Sequence, residues 1–112
     1  PLDIGIGEIN AKRWLKEGKT AFLQEEIDMW NSIKDLGFID SWREQNPEES
    51  SIYSWFDYRS RMFNDTPKRG LRIDHIMISA NLLPSMQKTG IDYKARAMEK
   101  PSDHCPVWIE IK

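Results

Sequence analysis

The chain holds a single cysteine, so no disulfide framework forms within it, and the composition fits a reducing compartment. It has no run of 18 apolar residues, which excludes a membrane-spanning helix. The opening residues carry no signal or transit pattern. Neither charge sign dominates. Sixteen Lys and Arg oppose eighteen Asp and Glu, a net charge of −2, so bulk charge predicts neither a nucleic-acid nor a membrane partner. With 39% hydrophobic and 30% charged residues the chain is too apolar for a disordered tail. Its 112 residues fit one domain, 1–112, and exclude a large two-domain enzyme. The first residue is Pro1, which leads to the expectation of a piece of something longer or of a tag scar.

What is present is unevenly placed. Between Arg59 and Arg72 stand Arg59, Arg61, Lys68, Arg69 and Arg72 against Asp65 alone, a local charge of +4. Such a patch suits a polyanion, and it equally suits a solvated loop. Helices are predicted over Glu8–Lys16, closed by Gly18, and over Gln24–Leu36. In the second, Leu23, Ile27, Trp30 and Ile33 share one face, and Gly37 supplies the cap. Arg43–Ser51 reads as a polar surface loop. Strands are predicted over Ile52–Tyr58, Leu71–Ser79, Ile91–Ala95 and Val107–Ile111. Two helices followed by four strands is an α+β pattern. The Leu71 strand is apolar on both faces, so it is expected to be covered on both sides. Two helices can cover only one.

Asp74 lies on that strand, where an ionisable group needs a partner. It is either a structural carboxylate or a functional one. Asp103 and His104 precede the last strand, stiffened by Pro101 and Pro106. Adjacent residues of extended chain point to opposite faces, so Asp103 is a poor partner for His104. If His104 acts as a base, Asp74 is the natural carboxylate to orient it. A zinc site from His75, His104 and Cys105 lacks paired ligand spacing. Cys105 reads as a small buried hydrophobe, His75 as a satisfied core or loop-facing histidine, and the tryptophans mostly as core. Trp55, beside the basic patch, suits a base or sugar ring as well as a core position.

SDHCPVW, GLRIDHIMIS and SWFDYRS, with TGIDY, MEKPSDH and the opening DIGIGE and KRWL, resemble the C-terminal half of the exonuclease III family. This family of bacterial AP endonucleases belongs to the endonuclease/exonuclease/phosphatase superfamily. The resemblance implies half of a four-layer α/β/β/α sandwich, a mostly antiparallel sheet with two helices on one face. It implies a metal-dependent DNA phosphodiesterase of base-excision repair, AP endonuclease and 3′–5′ exonuclease, hydrolysing the phosphodiester by metal-assisted water attack with magnesium or manganese. On this likeness His104 is the catalytic histidine, Asp74 its orienting aspartate, and Asp103 the acid beside metal and water. Trp55, Leu71 and Ile73 line a pocket for the base-less sugar, and Arg59 and Arg72 meet phosphates. The family's metal-binding glutamate, its phosphate-side tyrosine and its Gly-Asp-x-Asn motif have no counterpart here. The chain alone is therefore expected to be inactive, lacking its main metal ligands. The alternative is a truncated domain that only associates or binds DNA. Expected partners are double-stranded DNA with abasic sites or 3′ ends, and a missing N-terminal half or a second copy. The expected location is cytoplasmic, with no membrane partner.

Overall fold

The computed structural model describes residues 8–18, 23–49, 51–57, 63–64, 68 and 70–112. Helix α1 spans Glu8–Glu17 and α2 spans Gln24–Asp35. Both end where sequence placed a glycine, and Gly18 and Gly37 take left-handed φ values of 66° and 99°. Leu23 offers no side-chain acceptor ahead of α2. Glu26 reaches back instead and accepts the Leu23 N–H at 3.2 Å. Acids Glu25 and Glu26 sit in the first turn and Lys34 in the last, as the helix dipole favours.

Strand β1 (Phe38–Asp40) leads straight into the short helix α3 (Ser41–Gln45). Asp40 caps α3 by accepting the Arg43 N–H at 3.3 Å. The expected polar loop therefore begins as a helix, and α3 buries Ser41 and Trp42. β1 pairs antiparallel with β2 (Met77–Ser79), placing Ile39 opposite Ile78. A 3-10 turn over Ala80–Ser85 leads to β3 (Met86–Ile91). β3 pairs antiparallel with β4 (Val107–Ile111), with Thr89 opposite Ile109 and a register slip between Met86 and Lys88. Between them lies α4 (Tyr93–Arg96), capped by Asp92, which accepts the Ala95 N–H at 3.1 Å.

The result is a mixed α/β fold with two separate antiparallel strand pairs, where one sheet was expected. Three predicted strands are corrected. Only Met77–Ser79 of the Leu71 segment forms a ladder. Residues 52–57 make isolated bridges through Trp55. Ile91–Ala95 divides between the end of β3 and the start of α4.

The core is aromatic. Tyr53, Phe56 and Phe63 are buried with Cys105, and Ile91 and Tyr93 pack against them. Phe56 meets Phe63, Tyr93 and Tyr53 edge to face, with ring centroids 5.0, 5.7 and 5.9 Å apart. Trp108, expected in the core, is instead exposed, its indole lying over Gly90 where any Cβ would collide with it. Trp42 is the buried tryptophan. No helix among the described residues is long and apolar enough to cross a membrane.

Candidate functional site

Residues 54–56 form the middle of the site. On one side Trp55 exchanges backbone bonds with Leu71, its N–H donating to Leu71 O at 2.9 Å and its carbonyl accepting Leu71 N–H at 3.0 Å. On the other, Phe56 N–H donates to Asp103 O at 2.9 Å, and Cys105 N–H donates to Ser54 O at 2.7 Å. Trp55 is thus bridged antiparallel to both Leu71 and His104. Asp74 arrives along one limb and His104 along the other.

The two side chains meet. His104 Nδ1 lies 2.8 Å from Asp74 Oδ2 and 3.0 Å from Oδ1. A carboxylate only accepts, so Nδ1 carries the hydrogen, and Nε2 of the neutral ring is the free acceptor. The imidazole is exposed and the carboxylate half-buried, so the pair faces solvent. Ser102 Oγ accepts the His104 N–H at 3.1 Å and fixes the approach to the ring. This geometry lets His104 hold or accept a proton at Nε2.

Asp103 points elsewhere, as strand alternation requires. The Trp55 indole Nε1–H donates to its Oδ2 at 3.0 Å. That bond is the main reason its carboxyl titrates below the usual range. Asp103 therefore clamps the Trp55 ring. Among the described residues no group of three or more His, Cys, Asp or Glu side chains could hold a metal ion. Magnesium is commonly held by one or two carboxylates together with water and phosphate oxygens, so Asp103, with one oxygen bonded to the indole, could supply one ligand and would not complete a site alone.

The residues expected to contact DNA divide. Trp55 and Ile73 are half-buried beside the pair, while Leu71 is buried. Arg59 lies outside the described residues, as do Arg61, Asp65 and Arg69 of the basic patch. Lys68 donates to the Phe63 carbonyl, its ammonium 3.9 Å from the Phe63 ring centre.

Arg72 is a correction. Its guanidinium is 1% exposed and grips Asp40 with both forks, Nη2 to Oδ2 at 2.7 Å and Nη1 to Oδ1 at 3.2 Å. It also lies 5.1 Å from the Trp42 ring centre and 3.0 Å from His75 Nδ1. A guanidinium buried in that network holds β1 against the extended segment and presents nothing to a phosphate. Asp40 was not singled out from sequence, since nothing local marks a partner 32 positions away. His75 is satisfied there as expected, with its ring 4.3 Å from Trp30. Cys105 is buried, and burial pushes its thiol up to about 11, which suits a hydrophobe and not a nucleophile.

No family model matches the chain. It is 52% identical over 111 residues to exodeoxyribonuclease III of Haemophilus influenzae, covering 99% of this chain and 41% of that protein. Among solved structures, the 3′ phosphatase NExo from Neisseria, bound to a product DNA hairpin, superposes with a TM-score of 0.78 at 33% identity, over 99% of this chain and 42% of that one. An AP endonuclease from Archaeoglobus fulgidus superposes with a TM-score of 0.83 at 28% identity, over 99% and 40%. These findings count against the metal-assisted hydrolysis that the resemblance implies and favour the alternative of a truncated domain. The chain spans 41% of the Haemophilus relative's length, and no metal cluster exists among its described residues. By sequence and by fold the 112 residues are similar to exonuclease III and to AP endonucleases and exonucleases, and they span less than half the length of the relatives they match.

Proposed function

We propose that these residues act as a non-catalytic module of the exonuclease III lineage, a single domain over 1–112 that binds DNA and associates with a complementary surface. The observation that carries this reading is the split state of the site. Asp74 and His104 are assembled at 2.8 Å, while the nearby acid Asp103 is bonded to Trp55 and joins no metal-ligand cluster among the described residues. Magnesium or manganese would need further ligands from outside the described residues. The DNA ligand is double-stranded, with abasic sites or 3′ ends. The Neisseria neighbour, bound to a DNA hairpin, supports this choice. The setting is cytoplasmic.

Association is supported by the β3–β4 pair. Alternation along β4 sends Trp108 and Ile111 to opposite faces, and both are exposed, at 39% and 48%. These open apolar side chains offer a surface that a further layer of a four-layer α/β/β/α sandwich would cover.

The test pairs binding with cleavage. An abasic-site duplex is titrated with the chain, followed by fluorescence anisotropy, and the same samples are run on a denaturing gel after incubation with magnesium. Light scattering gives the mass in solution. The expected result is saturable binding without product, and a mass above that of one chain. Magnesium-dependent product from the chain alone refutes the proposal, and so does a monomer that binds no DNA.

A further inference from the structure

Asp74 and His104 stand 30 positions apart, and Ser54 joins the segments that carry them. Ser54 has no exposed surface. Its hydroxyl oxygen accepts two successive backbone N–H groups, Ile73 at 3.0 Å and Asp74 at 2.9 Å. Its own N–H donates to Leu71 O at 2.9 Å, and its carbonyl accepts Cys105 N–H at 2.7 Å. One residue therefore binds the Asp74 limb through both hydroxyl and backbone, and binds the His104 limb immediately after the histidine. A hydroxyl oxygen has two lone pairs, and both are used. Two consecutive N–H groups converging on one oxygen fix the peptide planes on either side of Ile73. That sets the direction in which the Asp74 side chain leaves the backbone. Ser54 itself has no exposed surface, so its loss leaves both N–H groups without their acceptor.

We infer that Ser54 is the positioning residue of the Asp74–His104 pair. It acts through the backbone, and its role does not depend on the binding function proposed above.

The test reads the His104 ring by 15N NMR in the 112-residue chain, at a pH well above the ordinary imidazole range. The wild-type ring is expected as the Nδ1–H tautomer, held by the carboxylate. Ser54→Ala removes the acceptor, and the folded population should lose that preference and show a mixture with the Nε2–H form. Ser54→Thr keeps a hydroxyl on the same carbon and should retain the tautomer. Ser41→Ala is the matched control. Ser41 is 1% exposed, and its hydroxyl donates to Ile76 O at 2.7 Å on the same extended segment. That variant loses a comparable buried bond without touching Asp74, so its His104 signal should stay unchanged. Retention of the Nδ1–H tautomer in Ser54→Ala overturns the inference, as does an equal loss in Ser41→Ala. If Ser54→Ala does not fold, Ser54→Cys, with its weak sulfur acceptor, takes its place under the same two outcomes.

Discussion

Replacing Asp40 by alanine removes one side of a bidentate ion pair whose side chains are 1% and 4% exposed. Breaking a buried pair from one side costs about 3–5 kcal/mol, because the remaining charge is left unsolvated. Asp40 also caps α3, and losing a cap adds about 1 kcal/mol. Against a typical domain stability of about 5–15 kcal/mol, Asp40→Ala should remove a large share. Urea unfolding measures it directly through the midpoint. The double variant Asp40→Asn/Arg72→Met separates the causes. Asparagine retains the cap acceptor, and methionine retains contact with Trp42, so neither charge is stranded. The double variant should recover much of the stability that Asp40→Ala loses. Because the pair is buried, the loss should persist in about 1 M salt, where surface pairs are screened. A loss below about 1 kcal/mol, or one that vanishes in salt, is the behaviour of a surface pair and would refute the burial argument. Arg72 would then return to consideration as a phosphate contact.

Gly70→Ala should destabilise the chain by about 1–3 kcal/mol in the same assay. The new Cβ would lie 2.8 Å from the Phe56 ring and closer still to the Trp55 carbonyl oxygen, so the backbone holding Trp55 must move; wild-type stability in this variant would show that contact to be slack. Burial holds the Cys105 thiol up to about 11 against an ordinary 9.0, so the folded state keeps a proton there that the unfolded chain has released. Stability should be level below the ordinary value and fall as pH rises through the interval, and Cys105→Ala should lessen that decline while leaving the part that the buried Tyr53 and Tyr93 phenols add at higher pH; a decline that Cys105→Ala leaves unchanged would refute the burial.

The local signals were legible because their causes are local. α1 and α2 follow from apolar spacing and from Gly18 and Gly37, and β4 from its alternation. The meeting of Asp74 with His104, and the turning of Asp103 away from it, follow from backbone parity together with the family resemblance. Other features left no pattern. β1 is only Phe38–Asp40, too short to show a period. β3 reads Met-Gln-Lys-Thr-Gly-Ile, and its Gly90 is there to admit the Trp108 ring. The Leu71 segment has strand composition, yet around Asp74 it is held by the Ser54 hydroxyl and not by a ladder. Arg72 looked like part of a basic patch because its partner comes from 32 positions upstream.

The double bridging of Trp55 has a consequence for the order of folding. The bonds that build the site join residues far apart in the chain, 20 positions for Ser54 with Asp74, 30 for Asp74 with His104 and 48 for Trp55 with Asp103. Each must close a long loop before it gains anything, whereas α1 and α2 need only neighbours. The helices can therefore form early while the histidine and its carboxylate are still strangers. Once the limbs lock onto residues 54–56, neither can leave without loosening the other. Their amides should open to solvent exchange together, as one cooperative unit distinct from the helices.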